Sequence, residues 1–240
     1  NVSAGKYYDS VHSLFFHRPY QMMPVQAMSF LYVRGLARGD HHRDEFKTLC
    51  NEAGVPMETV MSEALSTPDL YAAVRKAGAD VADPYEATTA VASLVRKSAR
   101  FRELLQQKMS LGSALVRDMG NLYSAALPSW LAAGFAEAAE RKLDLTHRPM
   151  VAVGYGSGDA AESWPIRAVP GWEAAAARIN AQDAISNAID LTREQYEALH
   201  DGREVELDYV PQEEFVITHV GECYDSSFQD LGVEYYKYVG

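Results

Sequence analysis

The chain has 240 residues, of which 48% are hydrophobic, 23% charged and 10% aromatic. That composition supplies a sizeable core for one large domain or two small ones, and it excludes a disordered chain, a collagen-like chain and a disulfide scaffold. Its 22 basic and 33 acidic residues leave a formal charge of −11, which repels nucleic-acid phosphates unless a basic patch is concentrated locally.

Asn1-Val2-Ser3-Ala4-Gly5 shows no basic-then-apolar leader pattern and no initiating Met, which points to removed or omitted upstream sequence. Val11–Phe16 reads as a short apolar strand ending in Phe15-Phe16, followed by a turn at His17-Arg18-Pro19-Tyr20. Pro24 can open a helix, and Val25, Met28, Tyr32 and Leu36 recur at helical spacing up to Gly39-Asp40. From Arg43 to Ser110 everything reads as helix. Arg43–Ala53, Glu58–Leu65 and Asp69–Ala77 are short candidates and Pro84–Met109 a longer one, punctuated by Pro56, Pro68 and Pro84. We expect residues 43–110 to form a helical insertion carried outside the core sheet, with its charges on solvated faces.

Asn121–Ala139 is rich in Ala and Leu and predicts a buried helix, kinked at Pro128. The charge-poor run Gly120–Ala136 carries Asn121, Tyr123, Ser124 and Ser129. It is too polar and too short for a bilayer span, which takes about 20 apolar residues. Pro149–Gly154 reads as a buried strand running into Gly154-Tyr155-Gly156-Ser157-Gly158, and Ala161–Val169 as a strand pairing back across that turn. Trp172–Ile189 and Thr192–His200 predict helices, the latter opened by a capping box between Thr192 and Gln195. Phe215–Val220 and Val233–Val239 read as closing strands. Helices interleave with strands and two strand pairs look antiparallel, which predicts a mixed α/β fold with a buried sheet.

Three places set a polar group at a strand end or a helix start, where α/β folds carry their sites. His17 directly follows a strand, and the backbone before Pro19 is held extended or turning. An imidazole there is suited to proton transfer near neutral pH, although it could equally be a histidine satisfied within a turn. Gly120-Asn121 precedes a helix. Asn121 can serve as the N-cap, or its amide can donate to a carbonyl oxygen. The turn 154–158 holds three glycines, so backbone N–H groups can approach a ligand closely, or simply form a tight hairpin. It is neither GxSxG nor GxGxxG, because Tyr155 and Asp159 occupy positions that those motifs give to glycine.

The two cysteines, Cys50 and Cys223, share no CxxC spacing, which fits a reducing compartment. Cys50 lies in a polar helical stretch and Cys223 among carboxylates, so neither is a credible nucleophile. His41-His42 sits in a polar turn, and no metal-ligand spacing occurs, so no metal is expected.

Phe16-His17-Arg18-Pro19-Tyr20, Asp118-Met119-Gly120-Asn121-Leu122-Tyr123-Ser124 and Gly154-Tyr155-Gly156-Ser157-Gly158 resemble, in that order, the F-H-x-P-[YF], V-G-N-[ILM]-Y-[ST] and S-Y-G-S-G motifs of the second half of hydroxymethylglutaryl-CoA (HMG-CoA) synthases, members of the thiolase-like superfamily. The match covers about residues 11–170. The resemblance implies the second half only of a layered αβαβα fold, spanning 1–240 with 43–110 inserted. It implies an acyltransferase, cytoplasmic and of the mevalonate pathway, that condenses acetyl-CoA with acetoacetyl-CoA and needs no cofactor beyond these thioesters. His17 would be the catalytic acid/base. Asn121, Ser157, Gly156 and Tyr20 would contact substrate, with a backbone N–H of the turn in the oxyanion hole. The family's nucleophilic Cys and enolising Glu lie in its first half, so the expected partner is an N-terminal half bearing both, within a higher homo- or hetero-oligomer. The almost uncharged helix, apolar nearly all round, also asks for burial on more than one side. The family usually has lysines facing CoA five and nine residues after its histidine; here stand Met22 and Gln26, with Arg18 and Arg34 as replacement candidates. Two alternatives stay open: a non-catalytic thiolase-like partner, and a β-branching synthase acting on acyl-carrier-protein substrates.

Overall fold

The computed structural model describes residues 7, 10–39, 42–78, 81–156, 160–186 and 188–240. The chain divides by its internal contacts into two compact units, Asn1–Ser186 and Asn187–Gly240.

The first unit is built on a three-stranded sheet, in the order β1 (Ser13–Phe16), β2 (Pro149–Tyr155) and β3 (Ala161–Arg167). β1 runs parallel to β2, with Phe16 opposite Val153, and β3 runs antiparallel to β2. The expected pairing of the last two across the glycine turn is therefore present. β1 is buried at every residue, whereas the edge strand β3 is exposed at all but Ile166. Buried on both faces, β1 reads as a continuous apolar run rather than an alternating one.

Between β1 and β2 the chain forms eight helices among the described residues: α1 (Met22–Arg38), α2 (Arg43–Ala53), α3 (Met57–Leu65), α4 (Leu70–Ala77), α5 (Glu86–Val95), α6 (Ala99–Lys108), α7 (Ser113–Met119) and α8 (Ala126–Glu140). Two more, α9 (Trp172–Ala176) and α10 (Ala181–Ser186), follow β3. The sequence reading ran several of these together. Pro84–Met109 is two helices, because Ser98 leaves helical geometry and its hydroxyl caps the second by accepting from the Phe101 N–H at 3.1 Å. Trp172–Ile189 likewise breaks into two short helices. Pro128, expected to kink the helix, sits elsewhere than in a helix interior. It lies in the first turn of α8, where its missing N–H has no intrahelical partner to lose. The segment Ser113–Met119 is a helix that the sequence reading left unassigned.

The helices of 43–110 are more than a solvated elaboration. Phe46, Val60, Val91, Val95 and Phe101 are almost completely buried and belong to the same apolar cluster as Leu14, Phe15 and Phe16. α1 packs against α3 and α5, and α6 against β1. Polar side chains finish what these short helices lack. Tyr85, before α5, cannot cap it, so Glu63 of α3 accepts from the Ala87 and Thr88 N–H groups at 3.2 and 2.7 Å.

α8 packs on β1 and β2 through its apolar side. Trp130 meets Phe15 edge to face, with ring centroids 6.0 Å apart, and its indole N–H donates to the Leu111 carbonyl at 2.9 Å. Gly134 lets Phe15 in: a Cβ there would stand 2.6 Å from the Phe15 ring. Among the described residues no helix is long and apolar enough to cross a membrane.

The second unit contains α11 (Arg193–His200) and a hairpin of β4 (Glu214–Val220) with β5 (Glu234–Val239). Thr192 and Gln195 form the expected capping box at the start of α11.

Candidate functional site

His17 continues the ladder one residue past β1, its N–H donating to the Val153 carbonyl at 2.7 Å. This fixes its backbone at the carboxyl ends of two parallel strands. Its half-buried imidazole stands edge-on to Tyr155, the last residue of β2, with centroids 5.3 Å apart. The Tyr155 hydroxyl is buried with no hydrogen-bond partner among the described residues. Burial, with a smaller contribution from Tyr20, pushes its phenol up to about 12. Tyr155 is therefore a neutral donor beside the imidazole at any ordinary pH. The sequence reading passed it over as a position that failed a glycine motif. The available signal was its place at the end of the strand next to the one that His17 follows.

Tyr20 is half exposed, and its hydroxyl donates to Gln26 Oε1 at 3.1 Å. Gly156 is exposed directly after β2, its N–H donating to the Ala160 carbonyl at 3.3 Å. Ser157 and Gly158, the rest of the expected donor turn, lie outside the described residues, as does His41.

Asn121 is exposed, and its Oδ1 accepts from the Tyr123 N–H at 2.9 Å, an Asx turn. It is not the N-cap of α8. A 3-10 turn, Tyr123–Ala125, intervenes, and Ala125 holds the cap position. The amide nitrogen of Asn121 remains able to donate. The chain runs from Asn121 into α8, whose Leu127 lies beside Gly154 near the carboxyl end of β2: Leu127 Cδ2 is 3.8 Å from where a Gly154 Cβ would stand. His17, Tyr155 and Gly156 thus share one end of the sheet, and the Asn121 segment leads into the helix that starts there.

Neither replacement arginine presents its side chain at this rim. Arg34 donates to the Ala64 carbonyl. Arg18 is only 6% exposed, with Nη1 on the Ser113 carbonyl and hydroxyl at 3.2 and 3.1 Å and its guanidinium over the Trp130 ring. Burial and the Glu58 carboxylate push the Cys50 thiol up, away from the thiolate form a nucleophile needs.

The fold is a mixed α/β arrangement of the HMG-CoA synthase type, in agreement with the motif resemblance. MvaS, solved in complex with 3-hydroxy-3-methylglutaryl coenzyme A, matches with a TM-score of 0.55 at 16% identity, over 97% of this chain and 42% of that one. The HMG synthase of the curacin biosynthetic pathway, solved with holo donor-ACP, matches with a TM-score of 0.50 at 19% identity, over 99% of this chain and 45% of that one. The chain therefore spans less than half the length of either solved protein. No family model matches it, and no curated protein does.

Proposed function

We propose that this chain is the C-terminal part of an HMG-CoA synthase-like acyltransferase, the second half of a thiolase-like layered fold. The observation that carries the reading is His17 at the carboxyl end of β1, its ring against Tyr155, in a chain with the HMG synthase fold. The complementary half supplies the nucleophilic Cys and the enolising Glu. The Cys thiolate attacks the acetyl-CoA carbonyl and expels the CoA thiolate. The Glu carboxylate takes a proton from the bound acetyl methyl, and the resulting enolate attacks the C3 carbonyl of acetoacetyl-CoA. The oxygen of that carbonyl gains a proton from the His17 imidazolium, and water then cleaves the enzyme thioester. The Asn121 amide donates to the acetoacetyl group. The Ser157 backbone N–H donates to the oxyanion and its side chain contacts the substrate, as do Gly156 and Tyr20. Fixed donors of this kind are worth about 2.7–4 kcal/mol each. Two free thiols in the chain fit work in the reducing cytoplasm.

The test is the condensation of acetyl-CoA with acetoacetyl-CoA by this chain together with its complementary half. His17→Ala is expected to slow it about 10²–10⁴-fold, the usual worth of a general acid/base. Unchanged turnover overturns the role. A second reading, a β-branching synthase using acyl-carrier-protein thioesters, is favoured by Met22 and Gln26 where CoA-facing lysines are expected. Higher kcat/KM with acetyl-ACP than with acetyl-CoA decides for it.

A further inference from the structure

Immediately after His17 the chain turns Arg18 into a different space, a cleft of about 490 Å³ between α6, α7 and α8 beside the start of α1. Neither His17 nor Tyr155 lines it. Four arginines do: Arg18, Arg102, Arg117 and Arg141. In a chain of net charge −11 this is a local reversal of sign.

The cleft's own acid neutralises only one of them. Glu137 is committed to Arg141 at 2.6 Å and to the Gly112 N–H at 2.6 Å. Arg102 donates to the Lys97 carbonyl, which carries no formal charge. Arg117 reaches Asp118 only at 3.5 Å, between two largely exposed side chains, a pairing worth little. Arg18 carries the strongest indication. It is more than nine-tenths buried, and its Nη2 has no hydrogen-bond partner among the described residues. A buried charged donor left without a partner is costly, and an anion held in the cleft that Arg18 lines would offset that charge. Burial and the neighbouring Arg117 charge both disfavour the protonated Arg18, as expected where cations converge without an anion.

We propose that this cleft is a binding site for a phosphate-bearing anion, gripped by Arg18 from the floor and by Arg102 and Arg117 from the rim. Two guanidinium groups without a carboxylate partner among the described residues, Arg18 and Arg102, with the loosely paired Arg117, match a multiply charged oxyanion better than a single carboxylate, and their planar forks suit phosphate oxygens. The volume exceeds a bare phosphate and lies in the range of small-molecule sites, and the partly exposed Val25 and Leu105 offer an apolar wall for an organic portion. The site is separate from the proposed catalytic end of the sheet, since none of His17, Tyr20, Asn121 and Gly156 lines it; of its arginines only Arg18 was also a candidate CoA contact.

The experiment is calorimetric titration of the intact protein at low salt with inorganic phosphate and pyrophosphate, with acetate as a monovalent control. Saturable binding of pyrophosphate at one site per chain, tighter than phosphate, weakening with added salt and absent for acetate, is the expected result. Arg102 and Arg117 are exposed, so the double variant R102Q/R117Q should keep its far-UV dichroism while losing affinity by about tenfold or more. R18M should abolish binding, and if that variant does not fold the rim double variant still decides. No saturable binding, or binding unchanged in R102Q/R117Q, overturns the proposal.

Discussion

β1 of the first unit and β4 of the second are both short strands bearing aromatic residues, yet Phe15 is 1% exposed and Phe215 is 69% exposed. The strands themselves do not account for the difference. β1 has β2 beside it and is packed by α6 and α8. Among the described residues β4 pairs only with β5, and their register sets Phe215 opposite Tyr238 and Ile217 opposite Tyr236, so these four lie on one open face. A two-stranded ribbon has no second layer of its own to cover such a face. Apolar content therefore identifies a strand, but burial depends on what the rest of the chain brings to it.

The comparison can be broken most severely at Phe15. Phe15→Ala should lower stability by about 3–5 kcal/mol, read as a shift of the urea midpoint at constant slope, because Trp130 and Gly134 are packed to its ring. A loss under 1 kcal/mol would mean the layer can collapse and that β1 is not the better-supported strand. Next is Glu63, which caps α5 across the helical layer. Glu63→Ala should cost about 1–2 kcal/mol, a typical cap loss, read as a shift of the urea midpoint.

Tyr155 sharpens the comparison through pH. Its folded-state phenol lies at about 12 against an ordinary 10, so above 10 the unfolded chain loses that proton first. Stability should therefore fall between pH 10 and about 12, and Tyr155→Phe should remove this part of the alkaline slope. An identical slope in both proteins would show the phenol to be solvated. The smallest effect is expected in the second unit. Phe215→Ser should change stability by no more than about 0.5 kcal/mol, as exposed positions usually do, and a loss above 2 kcal/mol would reveal that Phe215 is covered in solution.

Much of the local structure was legible in the residues. Prolines and glycines mark the helix boundaries between Arg43 and Ala77, the Thr192–Gln195 capping box is present, and β2 and β3 pair across their glycine turn. His17 directly follows β1 and Gly156 directly follows β2, as the strand readings placed them; Ser157 and Gly158 lie outside the described residues. These features are written within a few residues of one another, in backbone freedom, capping chemistry and the alternation of apolar side chains.

What the sequence could not decide depends on groups distant along the chain. Glu63 caps a helix 24 residues away, and Gly134 makes room for a ring more than a hundred residues earlier. The partner of the His17 ring is Tyr155, and Arg18, its immediate neighbour, leaves that site for Ser113 and Trp130. Nothing in the order His17-Arg18 says which way either side chain turns. That choice is made by packing: the parallel register of β1 on β2 fixes the backbone at Val153, and α7 and α8 then offer Arg18 the carbonyl and the aromatic face that its side chain needs once it is buried.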